Sequence, residues 1–151
     1  MKKTVLVWGW VAFVLISFGA NAEDVTYRKH IQPMFDSRCI ACHGPDSAPE
    51  YDAFKLEKER WLGKGKGMRM DTYSHLIFYT AWRDTGALMR RLDDGTNTKD
   101  GKPGNMYQYL GDTEEERQKN LKLFKEWVGY WTLKRWPEIT KEELSKTRVK
   151  Y

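Results

Sequence analysis

The run Cys39-Ile40-Ala41-Cys42-His43 constrains this chain of 151 residues more than any other feature. The chain has no other cysteines, so no second pair is present to complete a structural zinc site. A redox-active C-x-x-C pair would require alternating strands and helices, and the sequence shows no strand alternation. The two thiols and the imidazole therefore need a different common partner.

The spacing C-x-x-C-H is the attachment signature of c-type haem. Two intervening residues allow one helical turn to present the sulfur atoms of Cys39 and Cys42 to one edge of the porphyrin, where they form thioether bonds. The imidazole of His43, next in sequence, then reaches the iron from one face. The motif predicts one covalently bound haem c, with His43 as a metal ligand.

The N-terminal segment has the composition of an export signal. A pair of lysines precedes an almost wholly apolar run at residues 5–18, which ends in the small-x-small sequence Ala20-Asn21-Ala22. The run is shorter than the ~20 residues of a membrane-spanning helix. We therefore expect residues 1–22 to be a cleaved signal peptide and residues 23–151 to form a soluble periplasmic domain. An uncleaved membrane anchor is the alternative.

Hydrophobic periodicity predicts a helix at each end of this domain. In the first, within residues 23–38, apolar side chains recur every four residues, and Pro33 marks either a kink or the start of a second helix. Those side chains belong to Tyr27, Ile31 and Phe35. The other helix, residues 113–131, opens with Thr113 and Glu116 in a capping box. Its buried face is expected to comprise Leu121, Phe124, Val128 and Trp131.

The sequence between these helices is rich in turn-forming residues. The expected elements are helical turns within 51–61, a plain surface loop at 63–67, a helix at 71–79 capped by Asp71, a short helix at 85–92, and a series of turns at 93–105. Thr140 with Glu143 predicts a capping box for one last short helix. Without strand alternation or internal repeats, the fold class is predicted to be all-α, in one domain.

Composition narrows the class of function. The net charge is +5, but lysines and arginines are interspersed with aspartates and glutamates, which is typical of a solvated surface. No nucleic-acid partner is therefore expected. The aromatic fraction of 14% fits a protein that surrounds a flat apolar ligand, although an ordinary aromatic-rich core would have the same composition.

The haem motif, the later Pro103-Gly104-Asn105-Met106 and the aromatic-rich final helix together resemble the class I monohaem c-type cytochromes. The run Tyr27-Arg28-Lys29-His30-Ile31-Gln32-Pro33 is also similar to exported bacterial cytochromes. The resemblance implies a helical domain wrapped around one haem, with the first and last helices crossing beside it. The chain departs from a minimal member in its enlarged middle segment, residues 45–102. Its first helix also lacks the glycine that usually permits the close crossing of the two helices.

Met106 is the predicted second axial ligand of the iron. It follows Pro103-Gly104, a turn that lets the backbone approach the ring, and it precedes the capped final helix by about seven residues. It also matches the Pro-Gly-x-Met element of the resembled family. Met68, Met70 and His75 are the alternatives, or the site is open. Other methionines, Met34 and Met89, occupy apolar helical positions and are expected in the core.

The haem propionates need hydrogen-bond donors, and the segment after the Gly-Lys loop supplies several. Arg69, Tyr73 and Trp82 are the candidates, with Arg90 behind them, because arginine suits a carboxylate bidentately and tryptophan offers one N–H group. The alternative is that these four are surface and core residues without haem contact.

Electron transfer is the predicted function, with both axial positions filled and transient redox partners such as a membrane or outer-surface cytochrome. More loosely, the chain is similar to small periplasmic monohaem cytochromes of electroactive, metal-reducing bacteria. The alternative function is a haem-based sensor or binding protein for small molecules, with a labile sixth ligand. An enzyme is not expected, because His30 and His75 are the only histidines available as a distal acid–base group.

Overall fold

The computed structural model describes residues 23–151, so the predicted signal segment lies outside the described residues. These residues form eight α-helices and no β-strand, which confirms the all-α fold class. The helices are α1 (Gln32–Arg38), α2 (Ile40–His43), α3 (Tyr51–Leu56), α4 (Lys58–Gly63), α5 (Tyr73–Thr80), α6 (Ala87–Leu92), α7 (Glu114–Val128) and α8 (Lys141–Leu144). Within residues 23–151, no helix is long and apolar enough to span a bilayer.

The first helical region consists of two consecutive helical segments, and the second begins near Pro33. A π-helical stretch, Tyr27–Ile31, begins after Thr26, whose side chain accepts a hydrogen bond from the Lys29 backbone N–H. It leads directly into α1, where Pro33 lies in the first turn. Proline is tolerated there because the first N–H groups of a helix have no intrahelical acceptor.

The middle helices correct two predicted boundaries. The side chain of Thr72, not Asp71, caps α5 by accepting from the His75 backbone N–H at 3.2 Å. The Asp71 carboxylate instead pairs with Arg69. Helix α6 begins only at Ala87, because Gly86 has a φ of 73°, a left-handed conformation that precedes the helix.

Helix α7 is shorter than predicted and its capping box is half formed. Thr113 accepts from the Glu116 backbone N–H at 3.2 Å, but the Glu116 carboxylate accepts from the N–H of Asp112. The helix ends at Val128 because Gly129 has a φ of 82°, so Trp131 lies beyond the helix and is only half buried. At α8, both hydrogen bonds of the predicted capping box are present.

The buried face of α7 forms the centre of the core and contacts the Tyr27–Ile31 stretch. The rings of Tyr27 and Trp127 have their centroids 6.4 Å apart. The C-terminal residues seal this contact, since the N–H of Val149 donates to the Trp127 carbonyl and the N–H of Tyr27 donates to that of Lys150. The packing of the first helical region against the last long helix is therefore as the resemblance implied.

Candidate functional site

The haem motif forms one helical turn between α1 and the following loop. The N–H of Cys39 donates to the Phe35 carbonyl at 2.8 Å, and the N–H of His43 donates to the Cys39 carbonyl at 2.9 Å. Both cysteines are free thiols. Cys39 packs against the core, where burial raises the pKa of its thiol to about 12, whereas Cys42 is exposed. One turn thus presents two unpaired sulfur atoms and an imidazole.

A backbone carbonyl fixes the orientation of the His43 ring. Nδ1 of His43 lies 2.8 Å from the carbonyl oxygen of Met68. A carbonyl only accepts hydrogen bonds, so we infer that Nδ1 carries the proton and Nε2 keeps its lone pair. A second bond, from the N–H of Met70 to the backbone carbonyl of His43 at 2.9 Å, holds the same stretch of chain beside His43. This is the tautomer that a metal-ligating histidine requires.

Gly67 lies directly against the same ring. A Cβ atom at this position would lie 2.7 Å from Cε1 of His43, closer than non-bonded carbon atoms approach. The residue therefore belongs to the site, although the sequence predicted a plain surface loop at 63–67. The glycine-rich composition of that loop was a signal for close backbone approach as well as for flexibility.

Met106 lies far from the haem motif in sequence. It is half buried and packs against the same hydrophobic cluster as Cys39. Its backbone N–H donates to the Arg91 carbonyl at 2.9 Å. Met34 and Met89 are buried in helices, as expected.

The predicted propionate donors Arg69 and Tyr73 have other partners. The Arg69 guanidinium pairs with Asp71 at 2.6 Å and with Glu50 at 2.8 Å. These carboxylates raise the pKa of Arg69. The Tyr73 hydroxyl donates to the Val149 carbonyl at 2.8 Å. The N–H groups of Arg69 and the hydroxyl of Tyr73 that could bind a propionate are therefore bonded to other residues.

The remaining two candidates lie in different environments. Trp82 is 55% exposed, and its ring meets that of Trp136 edge to face at 4.4 Å. The Arg90 guanidinium donates to the backbone carbonyls of Thr85 at 2.9 Å and Leu133 at 3.1 Å. Arg90 therefore ties α6 to the segment after α7.

Trp61 is a donor that the sequence interpretation overlooked. Its indole N–H is buried and has no hydrogen-bond partner in the structure. Trp61 lies in α4, and its carbonyl accepts from the N–H of Lys66, the residue before Gly67, so its backbone is tied to the loop that contacts His43. The cationic groups of Arg60 and Lys64 lie 5.7 and 5.3 Å from the centre of its ring. An orphaned N–H beside two cations suits a carboxylate.

The donor set fits a covalently attached haem. Two free thiols match the vinyl groups, and His43 offers an unengaged Nε2. Trp61 supplies a buried donor of the kind a propionate uses. Among residues 23–151, no cluster of histidine, cysteine, aspartate and glutamate offers a separate metal site.

Comparisons with known proteins agree with this chemistry. A family model described as PccH Cytochrome c matches residues 26–151. Among solved structures, the chain is similar to the monoheme cytochrome PccH from Geobacter sulfurreducens, at 72% sequence identity and a TM-score of 0.80. That match covers 85% of this chain and 100% of the solved one. A comparison with curated proteins found no significant match.

Proposed function

Because the chain belongs to the PccH cytochrome c family, we propose that it carries single electrons in the periplasm, with His43 and Met106 as axial ligands. The protein is a monohaem c-type cytochrome with one covalently bound haem c. When bound, haem iron exchanges one electron between its ferric and ferrous states. The orientation of His43 carries the proposal, and Cys39 and Cys42 are the residues that would hold the porphyrin edge.

The hydrogen bond from His43 to Met68 supports axial ligation. It holds the imidazole in one rotation and one tautomer, with Nε2 facing away from the carbonyl. A proton shared with a carbonyl also makes the ring a stronger donor to the metal, which favours the oxidised state. Gly67 closes the side of the ring, so that the imidazole has little room to rotate.

The same bond argues for Met106 over its nearest rivals. Nδ1 and Nε2 lie on different sides of the imidazole, so the Met68 carbonyl would lie on the side away from an iron bound at Nε2. Met70 is two residues further along, and its N–H donates to the backbone carbonyl of His43, so this stretch of chain stays beside His43. A side chain from either residue would have to pass around the porphyrin edge to reach the opposite face. Met106 comes from a different part of the fold and has no such constraint.

Each of the two histidines that would serve an enzyme has one ring nitrogen in a polar contact. Nδ1 of His30 accepts a hydrogen bond from the Thr26 N–H at 3.1 Å. Nε2 of His75 lies 3.2 Å from a carboxylate oxygen of Glu50. The family match is what supports a carrier rather than an enzyme.

Ligation is tested by a spectropotentiometric titration of the holoprotein. A weak absorption band at the red end of the oxidised spectrum marks a thioether sulfur bound to ferric iron. Met106→Ala should abolish this band and lower the reduction potential, while Met68→Ala and Met70→Ala should retain it. Survival of the band in Met106→Ala would assign the ligand elsewhere. Ready binding of carbon monoxide by the reduced wild type would favour the sensor function instead.

Export and partners belong to the same proposal. The family match begins at residue 26, close to residue 23, where we place the start of the mature domain. Transient redox partners, such as a membrane or outer-surface cytochrome, would dock over small interfaces that allow rapid release. Intact-mass spectrometry should give residues 23–151 plus one haem. A mass that retains Met1 would contradict cleavage.

We place Trp61 ahead of Arg69, Tyr73, Trp82 and Arg90 as a propionate donor, because its buried N–H has no other partner. Trp61→Phe removes only that donor and should change the pH dependence of the reduction potential, since an unpaired propionate titrates differently. Trp136→Phe, an exposed tryptophan, is the matched control. Identical pH profiles for wild type and Trp61→Phe would exclude this role, and Arg69→Ala then tests the next candidate.

A further inference from the structure

Asp93 is a completely buried carboxyl group that the haem chemistry does not use. Its Oδ1 accepts from the backbone N–H groups of Gly95 at 2.9 Å and Asn97 at 3.1 Å. Its Oδ2 accepts from the side-chain amide of Asn97 and from the indole N–H of Trp131, both at 2.8 Å. All four partners are neutral N–H groups. Burial of a carboxyl group is costly in free energy unless hydrogen bonds saturate it. Loss of any of these four bonds should therefore be unfavourable.

These bonds are made by the loop that delivers Met106, which we define as residues 93–106 and name the Met106 loop. The N–H of Gly104 donates to the Asp93 carbonyl at 2.8 Å, and the N–H of Met106 donates to the Arg91 carbonyl at 2.9 Å. The last residues of the loop are therefore bonded to the chain at and just before its first residue, Asp93. A Cβ atom at Gly104 would lie 2.3 Å from the Arg91 carbonyl oxygen, so the two ends are in contact.

Trp131 joins the closed loop to the rest of the domain. It follows the end of α7, the helix that packs against the N-terminal helical region. One carboxyl group thus binds the start of the loop, the turn at Asn97 and the chain beyond α7. The loop cannot move away from the core without leaving at least one of these buried groups unpaired.

We propose that Asp93 is a positioning residue that holds Met106 on the iron by fastening the Met106 loop to Trp131, an inference that rests on the proposed ligation by Met106. A neutral thioether is a weak ligand, and its retention depends on how seldom the loop opens. Opening of the loop exposes the sixth position to external ligands. The affinity of the ferric protein for imidazole therefore measures how firmly the loop is closed.

The test is an imidazole titration of the oxidised holoprotein. Asp93→Asn is nearly isosteric but turns an N–H group toward the N–H groups of Asn97 or Trp131, so it breaks part of the cluster. It should bind imidazole about tenfold more tightly than the wild type and lose the red band at correspondingly lower concentrations. Asp100→Asn is the matched control, because Asp100 is in the same loop but is exposed and accepts its hydrogen bond from the nearby Lys102 N–H.

Two further variants separate this inference from its premise. Trp131→Phe removes one hydrogen bond and should cause a smaller increase in imidazole affinity; the double variant should show less than the sum of both effects. If Asp93→Asn does not fold, Trp131→Phe alone tests whether the hydrogen bonds of Asp93 hold the Met106 loop. Wild-type imidazole affinity in Asp93→Asn and Trp131→Phe would overturn the positioning role, provided that Met106→Ala abolishes the red band. Retention of that band in Met106→Ala would instead overturn the ligand assignment itself.

Discussion

The segment that carries His43 and the loop that carries Met106 are built differently. The His43 segment, residues 39–70, has only two buried residues, Gly44 and Phe54, and its helices are short. The Met106 loop begins at the fully buried Asp93 and leads into a 3-10 turn, Tyr107–Leu110, whose first and last residues are buried. The first region is largely a surface structure, and the second is anchored in the core.

The difference follows from how each ligand is brought to the haem. His43 is next in sequence to Cys42, so two covalent thioether bonds and one hydrogen bond suffice to place it. Met106 lies about sixty residues further along the chain and has no covalent attachment. Its position depends on tertiary contacts, which include the bonds of Asp93 and the hydroxyl of Tyr107. That hydroxyl donates to Glu114, and burial together with Glu114 raises the pKa of Tyr107 to about 12.

The largest effect is expected where the Met106 loop meets the core. Leu110 is 1% exposed and ends the 3-10 turn. Leu110→Ala should lower the free energy of unfolding by about 2–5 kcal/mol, because it leaves a cavity. Leu56, in the His43 segment, is 86% exposed, and Leu56→Ala should change it by less than about 0.5 kcal/mol. Denaturant unfolding followed by circular dichroism measures both. Equal losses would remove the distinction between the two regions.

Gly67→Ala should be the most damaging small change within the His43 segment. The added methyl group would lie 2.7 Å from the His43 ring and force either the imidazole or the loop to move. We expect a loss of about 1–3 kcal/mol in unfolding free energy and a shifted reduction potential. Gly63→Ala is the control, since a Cβ atom there has no neighbour within 4 Å. A variant at Gly67 with an unchanged potential would show that the contact does not constrain His43.

The same division decides what the sequence could predict. The haem motif, the restart at Pro33 and the capping box of Thr140 and Glu143 depend on residues a few positions apart, and the structure confirms these helical features. The cap of α5 was predicted at Asp71 and is at Thr72, because the Asp71 carboxylate pairs with Arg69 while the Thr72 side chain accepts from the His75 backbone N–H. Local preference could not show which partner would win.

Contacts between distant segments escaped prediction for a related reason. The contact of Gly67 with His43 and the bond from Trp131 to Asp93 join residues far apart in sequence, and no periodicity links them. The propionate donors were chosen by residue type alone, and that choice did not anticipate that Tyr73 and Arg90 bond to backbone carbonyls. Chemistry encoded in one short run was readable, whereas chemistry assembled by packing was not.

The smallest effect should come from a third region, which touches neither ligand. At α8, Glu143 accepts hydrogen bonds from Lys134 at 2.6 Å, the Thr140 N–H at 2.9 Å and the Tyr130 hydroxyl at 2.8 Å. Lys134 is the main cause, and together these donors lower the pKa of Glu143 to about 2. A carboxylate with a depressed pKa stabilises the fold above its unfolded pKa of about 4.3, and the contribution fades as the pH falls toward 2.

Glu143→Gln should therefore lower the melting temperature slightly at pH 7. The difference from wild type should shrink progressively as the pH falls from 4.5 to 3, because protonation of Glu143 in the unfolded chain then removes part of its contribution to stability. Glu142→Gln, an exposed neighbour in the same turn, is the control for the loss of one negative charge. Thermal unfolding at several pH values gives the stability, and an imidazole titration gives the ligand affinity. Because α8 contacts neither the His43 segment nor the Met106 loop through Glu143, the imidazole affinity should stay at the wild-type value. An altered affinity would mean that global stability alone controls the opening of the Met106 loop, and the contrast between the two ligand-bearing regions would then lose its basis.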